Sequence, residues 1–420
     1  MNALAVNNQS AGRAAETPGK STRTVFLVLA LSVAVSNLAI GIIAPLLPVY
    51  AKRLGADGVL VGLIFSTFSI SRLIFMPAAG ALSDRYGRKS FLMTGLFLYA
   101  LCSAAYIVAL QAWSLVGIRF LQGMASAMIL PIAMAAVADL APSENAGEAV
   151  GSFNAPIYLG LGFGPLLGGV IADWISIEVN FLIMGLLSLL SLFLVALLMP
   201  RIGERRKKAP IRVRSWGLLK DPVFRTVFFL RFALSVGLGV MSSFLPLLGA
   251  MEIGLSMAAV GFCIAVKILT VAVLMHPSGK LADKMDRVKL SILGTGLNTM
   301  ALLGATLARS LPELLVVCII WGIGSALSVP AMTALVIARG KILETGMGRA
   351  MGLFNLAFSA GIAVGPIALG KFYDLMKPSG AFFAAAAVLC LGIMVFAISV
   401  KRMDPAFRGK EGVLKEAIHP

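Results

Sequence analysis

The 420-residue sequence predicts an all-α membrane protein of twelve transmembrane helices, built as two parallel six-helix bundles with both termini in the cytoplasm. Three observations lead there. The first is composition: 59% hydrophobic against 13% charged residues, with a mean hydropathy of +0.93, leaves too few polar groups to coat a water-soluble globule. The second is a recurrence of apolar runs near the length, about 20 residues, that crosses a bilayer as a helix. The third is that the second half of the chain repeats the first.

Taken in order, residues 1–24 are small and polar, without the apolar core and cleavage site of a secretory signal, and are expected to be a disordered cytoplasmic tail. The tail holds GKST, Gly19 to Thr22, but Ala14 stands where a phosphate-binding loop needs its first glycine, which argues against an ATP site. The first six spans are expected at 25–48, 58–80, 91–109, 114–138, 149–170 and 180–200. A basic cytoplasmic linker, 201–222, separates them from spans at 223–249, 257–278, 289–308, 313–337, 349–370 and 380–400, with a cytoplasmic tail at 401–420. The two bundles are thus 25–200 and 223–400. Placing the N-terminus inside puts 27 of the 36 lysines and arginines on cytoplasmic segments, as positive loops require. The net charge of +17 is therefore accounted for by topology and by contact with anionic lipid headgroups, and is not a nucleic-acid signal.

The repeat keeps Gly, Asn, Ser and Pro in register at offsets of 199 to 202, beyond what shared hydrophobicity produces. RTVFLVLALSV, 23–33, returns as RTVFFLRFALSV, 225–236. GALSDRYGR, 80–88, returns as GKLADKMDR, 279–287. GMASAMILP, 123–131, returns as GIGSALSVP, 322–330, and GSFNAPIYLGLGFGP, 151–165, as GLFNLAFSAGIAVGP, 352–366. Six spans per copy is an even number, so both halves enter the membrane in the same sense. Parallel repeats of this kind are built into secondary transporters that rock about a mid-membrane site.

These segments carry a family resemblance. Gly80, Asp84, Arg85, Gly87, Arg88 and Lys89 match the signature between the second and third helices of the major facilitator superfamily, and the likeness runs from about Thr24 to Val400. The second copy retains Asp283 and Arg287 but has Asp286 in place of Gly87 and Val288 in place of Lys89. Arg119, Gln122 and Gly123 in the fourth span, Gly160, Gly164, Pro165, Gly168 and Gly169 in the fifth, and Pro45 and Pro48 resemble the twelve-helix drug:proton antiporters, the fifth-span pattern being that of exporters. The resemblance implies a small-molecule substrate and protons as partners, no cofactor, a monomer, and a bacterial inner membrane. It also implies that the Asp84 and Arg88 cluster, with Asp139 as a second possible partner of Arg88, latches the halves on the cytoplasmic side in the outward-facing state. The plainer reading, loop charges that merely fix topology, stays open. Asp84 is expected near the N-terminus of the third helix, where a carboxylate suits the dipole. The four-residue stride of the fifth-span glycines, with Gly365 and Pro366 in the second copy, reads as close helix packing or as a pliable hinge.

Four cations lie inside spans, Arg72, Arg119, Arg231 and Lys267, and no Asp or Glu does so away from an end. Each costs about 2.5 to 3.5 kcal/mol at bilayer depth and usually faces a cavity. At about 1.5 Å per residue, Lys267 is about 18 Å from Gly279 and Arg72 about 12 Å from Gly80, so both are deep. Arg231, about 10 Å from Phe224, is expected to extend its stem to the interface. The first span offers Asn37 where many drug:proton antiporters have a carboxylate, so the expected cavity suits an anion. Proton coupling then falls to Lys267 as a titratable amine or to Arg119 as a fixed charge. Structural roles remain open for these cations, as does Arg119 bonded to carbonyls and Gln122. Asn154 and Asn355 occupy matching positions in the two copies, as Ser126 and Ser325 do, and line the cavity or bond between helices. Cys102, Cys263, Cys318 and Cys390 fall in different spans and read as small core residues, and His276 and His419 lack the company a metal or catalytic site needs. No enzyme is expected.

Overall fold

The computed structural model describes residues 20–140, 146–199, 215–343 and 347–401, with side chains for 26–137, 156–199, 217–343 and 349–400. The first bundle runs α1 (Lys20–Ile43), the short α2 (Leu46–Arg53), α3 (Gly58–Tyr86), α4 (Arg88–Ile107), α5 (Ala112–Leu140), α6 (Ala146–Trp174) and α7 (Ile177–Leu198). A 3₁₀ turn, Ser215–Lys220, leads into α8 (Pro222–Leu247), α9 (Met257–Lys284), α10 (Arg287–Leu307), α11 (Leu311–Ile342) and α12 (Met347–Lys401). Among the described residues eleven helices are long and apolar enough to span a membrane. The last is two spans in one, because Met376 and Lys377 leave helical geometry, Lys377 with φ +56°, directly before Pro378. That break restores the expected twelve.

Several boundaries differ from those the sequence predicts. The first span splits after Ile43, where Pro45 has no N–H to continue the ladder. The helix also begins at Lys20, inside the expected tail. α3 and α9 continue to Tyr86 and Lys284, so Asp84 sits in the last turn of α3 rather than at the start of α4, which begins at Arg88, three residues before the expected span. The dipole argument for Asp84 therefore does not hold at that helix start.

Helix contacts repeat between the halves. α1 packs on α6 as α8 packs on the first arm of α12, and α3 packs on α5 as α9 packs on α11. Small residues set these distances. A Cβ on Gly160 would meet the Ala34 oxygen at 2.5 Å, and one on Gly164 the Gly41 Cα at 2.6 Å. In the second half a Cβ on Gly365 would meet the Val236 Cα at 2.9 Å. The bundles touch through α3 with α12 and α6 with α9. A Cβ on Gly62 would overlap the Pro366 carbonyl, and one on Gly261 the Pro165 carbonyl, a two-fold-related pair of crossings. We refer to the end carrying the 80–90 and 279–287 turns as the basic end and to the opposite end as the far end.

Candidate functional site

Between α3, α5 and α12, a cavity of about 180 Å³ is lined by Phe65, Phe68, Ser69, Arg72, Arg119, Phe358, Ser359 and Ile362. The i, i+3 spacing of Phe65 and Phe68 on α3 brings two rings onto one face. Arg119, one helix away on α5, lays its guanidinium over both, at 5.2 and 4.4 Å from the ring centroids. Its Nη1 donates to Gln122 Oε1 at 2.9 Å, and that oxygen also accepts from the Tyr106 hydroxyl at 2.9 Å. Arg119 thus lines the cavity and is bonded to Gln122 and, at 3.4 Å, to the Ile64 carbonyl, as its structural reading expects.

Arg231 does not reach for the interface. It is 9% exposed and stacks on Phe354 and Phe358 of α12 at 4.8 and 4.7 Å, with its Nε buried and without a hydrogen-bond partner. The reason is the i, i+4 pair of rings, which offers the cation about 0.5 to 2 kcal/mol per face and roughly offsets its insertion cost. The same arithmetic sustains Arg119. Arg72 and Lys267 differ, since neither makes a hydrogen bond or ion pair among the described residues. Lys267 is 6% exposed on α9, beside Cys318, whose thiol is within hydrogen-bonding reach of Cys263. These two cations lack the compensation the other two have.

The remaining candidates fall in three places. Asn37 is buried in the α1–α6 packing, its Nδ2 donating to Val33 O at 2.8 Å within its own helix, and its Cβ is 3.1 Å from where a Gly160 Cβ would sit. Asn355 is exposed on α12, while the side chains of Asn154 and Asp139 lie outside the described residues. Ser325 accepts from Asn298 Nδ2 at 3.0 Å, a bond between α10 and α11.

At the basic end, Arg88 Nη2 is 3.3 Å from Asp84 Oδ1, and Lys89 Nζ donates to Ala196 O at 2.7 Å, where a cation suits the C-terminus of α7. Arg85 lies over the Tyr86 ring. Gly87 has φ +95°, which requires glycine, whereas Asp286 in the second turn caps α10 by accepting from Val288 N at 2.8 Å and Lys289 N at 3.2 Å. The substitution at that position is therefore a change of turn chemistry. Asp283 is exposed and Arg287 Nε donates to Ala282 O at 3.3 Å. A Cβ on Gly80, or on its counterpart Gly279, would meet nothing within 4 Å. In α6, Gly160, Gly164 and Gly168 face α1, whereas Gly169 faces Met257 of α9. Three cysteines are buried as expected and Cys390 is exposed.

The sequence reading missed the phenylalanines that complete the cavity. Their signal was the spacing of Phe65 and Phe68, one turn apart, and of Phe358 one turn from Phe354, which stacks on Arg231.

Similarity to known proteins follows the same lines. The chain is 29% identical over 386 residues to an uncharacterised MFS-type transporter of Methanocaldococcus jannaschii, covering 90% of this chain and 98% of that protein. It is 27% identical over 364 residues to multidrug resistance protein 2 of Bacillus subtilis, covering 84% and 90%. Among solved structures, a bacterial homologue of the human lysosomal transporter Spinster, described as inward-facing and unoccupied, superposes with TM-score 0.76 at 14% identity over 93% of this chain and 100% of that one. The human organic anion transporter MFSD10 gives 0.62 at 20% identity over 91% and 100%. The family profile named Major Facilitator Superfamily matches residues 29–348, and together with twelve apolar spans in two repeated bundles it makes this integral membrane protein a transporter of the major facilitator superfamily.

Proposed function

We propose that this transporter exports a small amphipathic organic molecule with an acidic head, by alternating access coupled to proton antiport across a bacterial inner membrane. The observation that carries the proposal is the pair of cations that make no hydrogen bond or ion pair among the described residues, Arg72 in the cavity wall and Lys267 buried on α9 of the other bundle. A buried charge left unpaired is costly, and a bound carboxylate or similar anion removes that cost. The cavity, at about 180 Å³, is smaller than the roughly 300 to 1,000 Å³ of sites that enclose a drug-sized ligand. It therefore receives the acidic head, with Phe65, Phe68 and Phe358 against the adjoining apolar part. With the basic end in the cytoplasm, bundles joined at the far end correspond to an inward-facing state, ready to load from inside. Multidrug resistance, after which the Bacillus subtilis relative is named, fits export.

A second reading, an organic-anion importer or exchanger, is favoured by one observation: Asn37 replaces a titratable carboxylate in α1 and is spent on helix packing. Inside-out vesicles separate the two. Uptake of an acidic amphiphile driven by an imposed pH gradient and collapsed by a protonophore is the expected result. Uptake indifferent to the protonophore and accelerated by anion on the opposite side would establish the exchanger. Equal uptake of cationic and acidic amphiphiles would end the anion assignment.

A further inference from the structure

At the far end, two carboxylates reach across between the bundles. Asp374, at the close of the first arm of α12, accepts from Gly58 N at 2.6 Å on Oδ1 and from Val59 N at 3.3 Å on Oδ2. Asp173, at the close of α6, accepts from Met257 N at 2.9 Å on Oδ1 and from Ala258 N at 2.7 Å on Oδ2. The two sets are related by the internal repeat, so each bundle gives one carboxylate and one helix N-terminus to the other.

The first four N–H groups of a helix have no partner within it. At α3 every one is accounted for: Gly58 and Val59 by Asp374 from the other bundle, Leu60 by the Asp57 side chain at 2.7 Å, and Val61 by the Asp57 carbonyl at 3.0 Å. At α9 the same holds, with Met257 and Ala258 taken by Asp173, Ala259 by Ser256 Oγ at 3.2 Å, and Val260 by the Ser256 carbonyl at 3.1 Å. Each helix start thus caps itself halfway and leaves its two outermost donors for the opposite bundle. Small residues make room, since a Cβ on Gly58 would meet Asp374 Oδ1 at 2.9 Å and the Gly370 carbonyl at 2.6 Å, and one on Gly169 would overlap the Met257 carbonyl.

We infer that Asp173 and Asp374 are positioning residues of the transport cycle, a paired clamp that holds the far-end gate shut. The clamp suits a gate because it is reversible. Both carboxylates are exposed, so on separation water takes over the carboxylates and the freed N–H groups alike, and the bias of each contact stays modest. Two clamps, charge-assisted and aligned with two helix dipoles, add their bias in one direction. They act where the cavity does not, so their removal changes the balance of conformations rather than the recognition of substrate.

The test uses the full-length protein with Cys390→Ser and spin-label pairs at exposed positions in opposite bundles. Leu110→Cys with Leu307→Cys reports the far end, and Tyr86→Cys with Met285→Cys reports the basic end. Electron–electron double resonance is measured without substrate. In Asp173→Asn/Asp374→Asn the population of long far-end distances is expected to rise at least five-fold while basic-end distances shorten, and Asp→Glu at both sites restores the parent distribution. Ala258→Pro deletes one donor without touching a carboxylate, and proline is tolerated in a first helical turn, so this variant keeps the test available if the double variant folds poorly. It is expected to shift the pairs in the same direction. Unchanged distance distributions in a monodisperse double variant, or in Ala258→Pro, would overturn the clamp, even if thermal stability fell.

Discussion

Among the four intramembrane cations the decisive difference is company. Arg119 and Arg231 each rest on two phenylalanine rings, while Arg72 and Lys267 have neither hydrogen bond nor ion pair among the described residues. Arg72→Ala and Lys267→Ala are therefore expected to lower transport at least ten-fold in vesicles while leaving the melting temperature of the purified protein unchanged or raised. Normal transport by both variants would remove the anion-binding reading. Arg231→Met should behave differently. Because ring stacking roughly offsets the cost of the buried charge, an apolar side chain of similar length is expected to be neutral or mildly stabilising there. Its expected signature is an equal or higher melting temperature, and a melting temperature lowered by several degrees would show that the ring stacking outweighs the buried charge. The sequence disclosed that these four cations exist and lie deep. It did not disclose which of them the protein already satisfies, because the rings that do so come from other helices.

At the scale of single elements, the two related turns at the basic end show one task solved twice. Gly87 turns through φ +95°, whereas Asp286 caps the following helix with its side chain. Gly87→Ala is expected to cost about 1 to 3 kcal/mol through backbone strain, and Asp286→Ala about 0.5 to 2 kcal/mol through the lost cap, both read by thermal unfolding. A Gly87→Ala variant as stable as the parent would show that the turn can relax to a negative φ. The glycine stride of α6 was legible as a face of small residues from its spacing alone. That this face meets α1 with Gly160, Gly164 and Gly168, and α9 with Gly169, was not, since spacing does not name a neighbour. Gly62→Ala, which places a methyl group on the Pro366 carbonyl, is expected to weaken far-end closure and lengthen the Leu110–Leu307 spin-label distance; an unmoved distance would mean that the crossing yields without opening.

For the whole molecule, twelve spans, two bundles and the internal two-fold were present in the sequence, because apolar length, loop charge and repetition are properties of the chain taken residue by residue. A bilayer forces backbone groups to bond within each segment, so span number follows from local composition with little need of tertiary detail. Which end is joined, and by what, is a different kind of fact. Asp173 and Asp374 look like ordinary carboxylates at the ends of spans until α9 and α3 are set beside them, and Asn37 looks like a cavity residue until Gly160 brings α6 against it. Sequence by itself determined the solvent, the helices and their repetition. Only the tertiary structure decided the compensation of each buried charge and the contacts between bundles, because these depend on distances between residues some 80 to more than 300 positions apart.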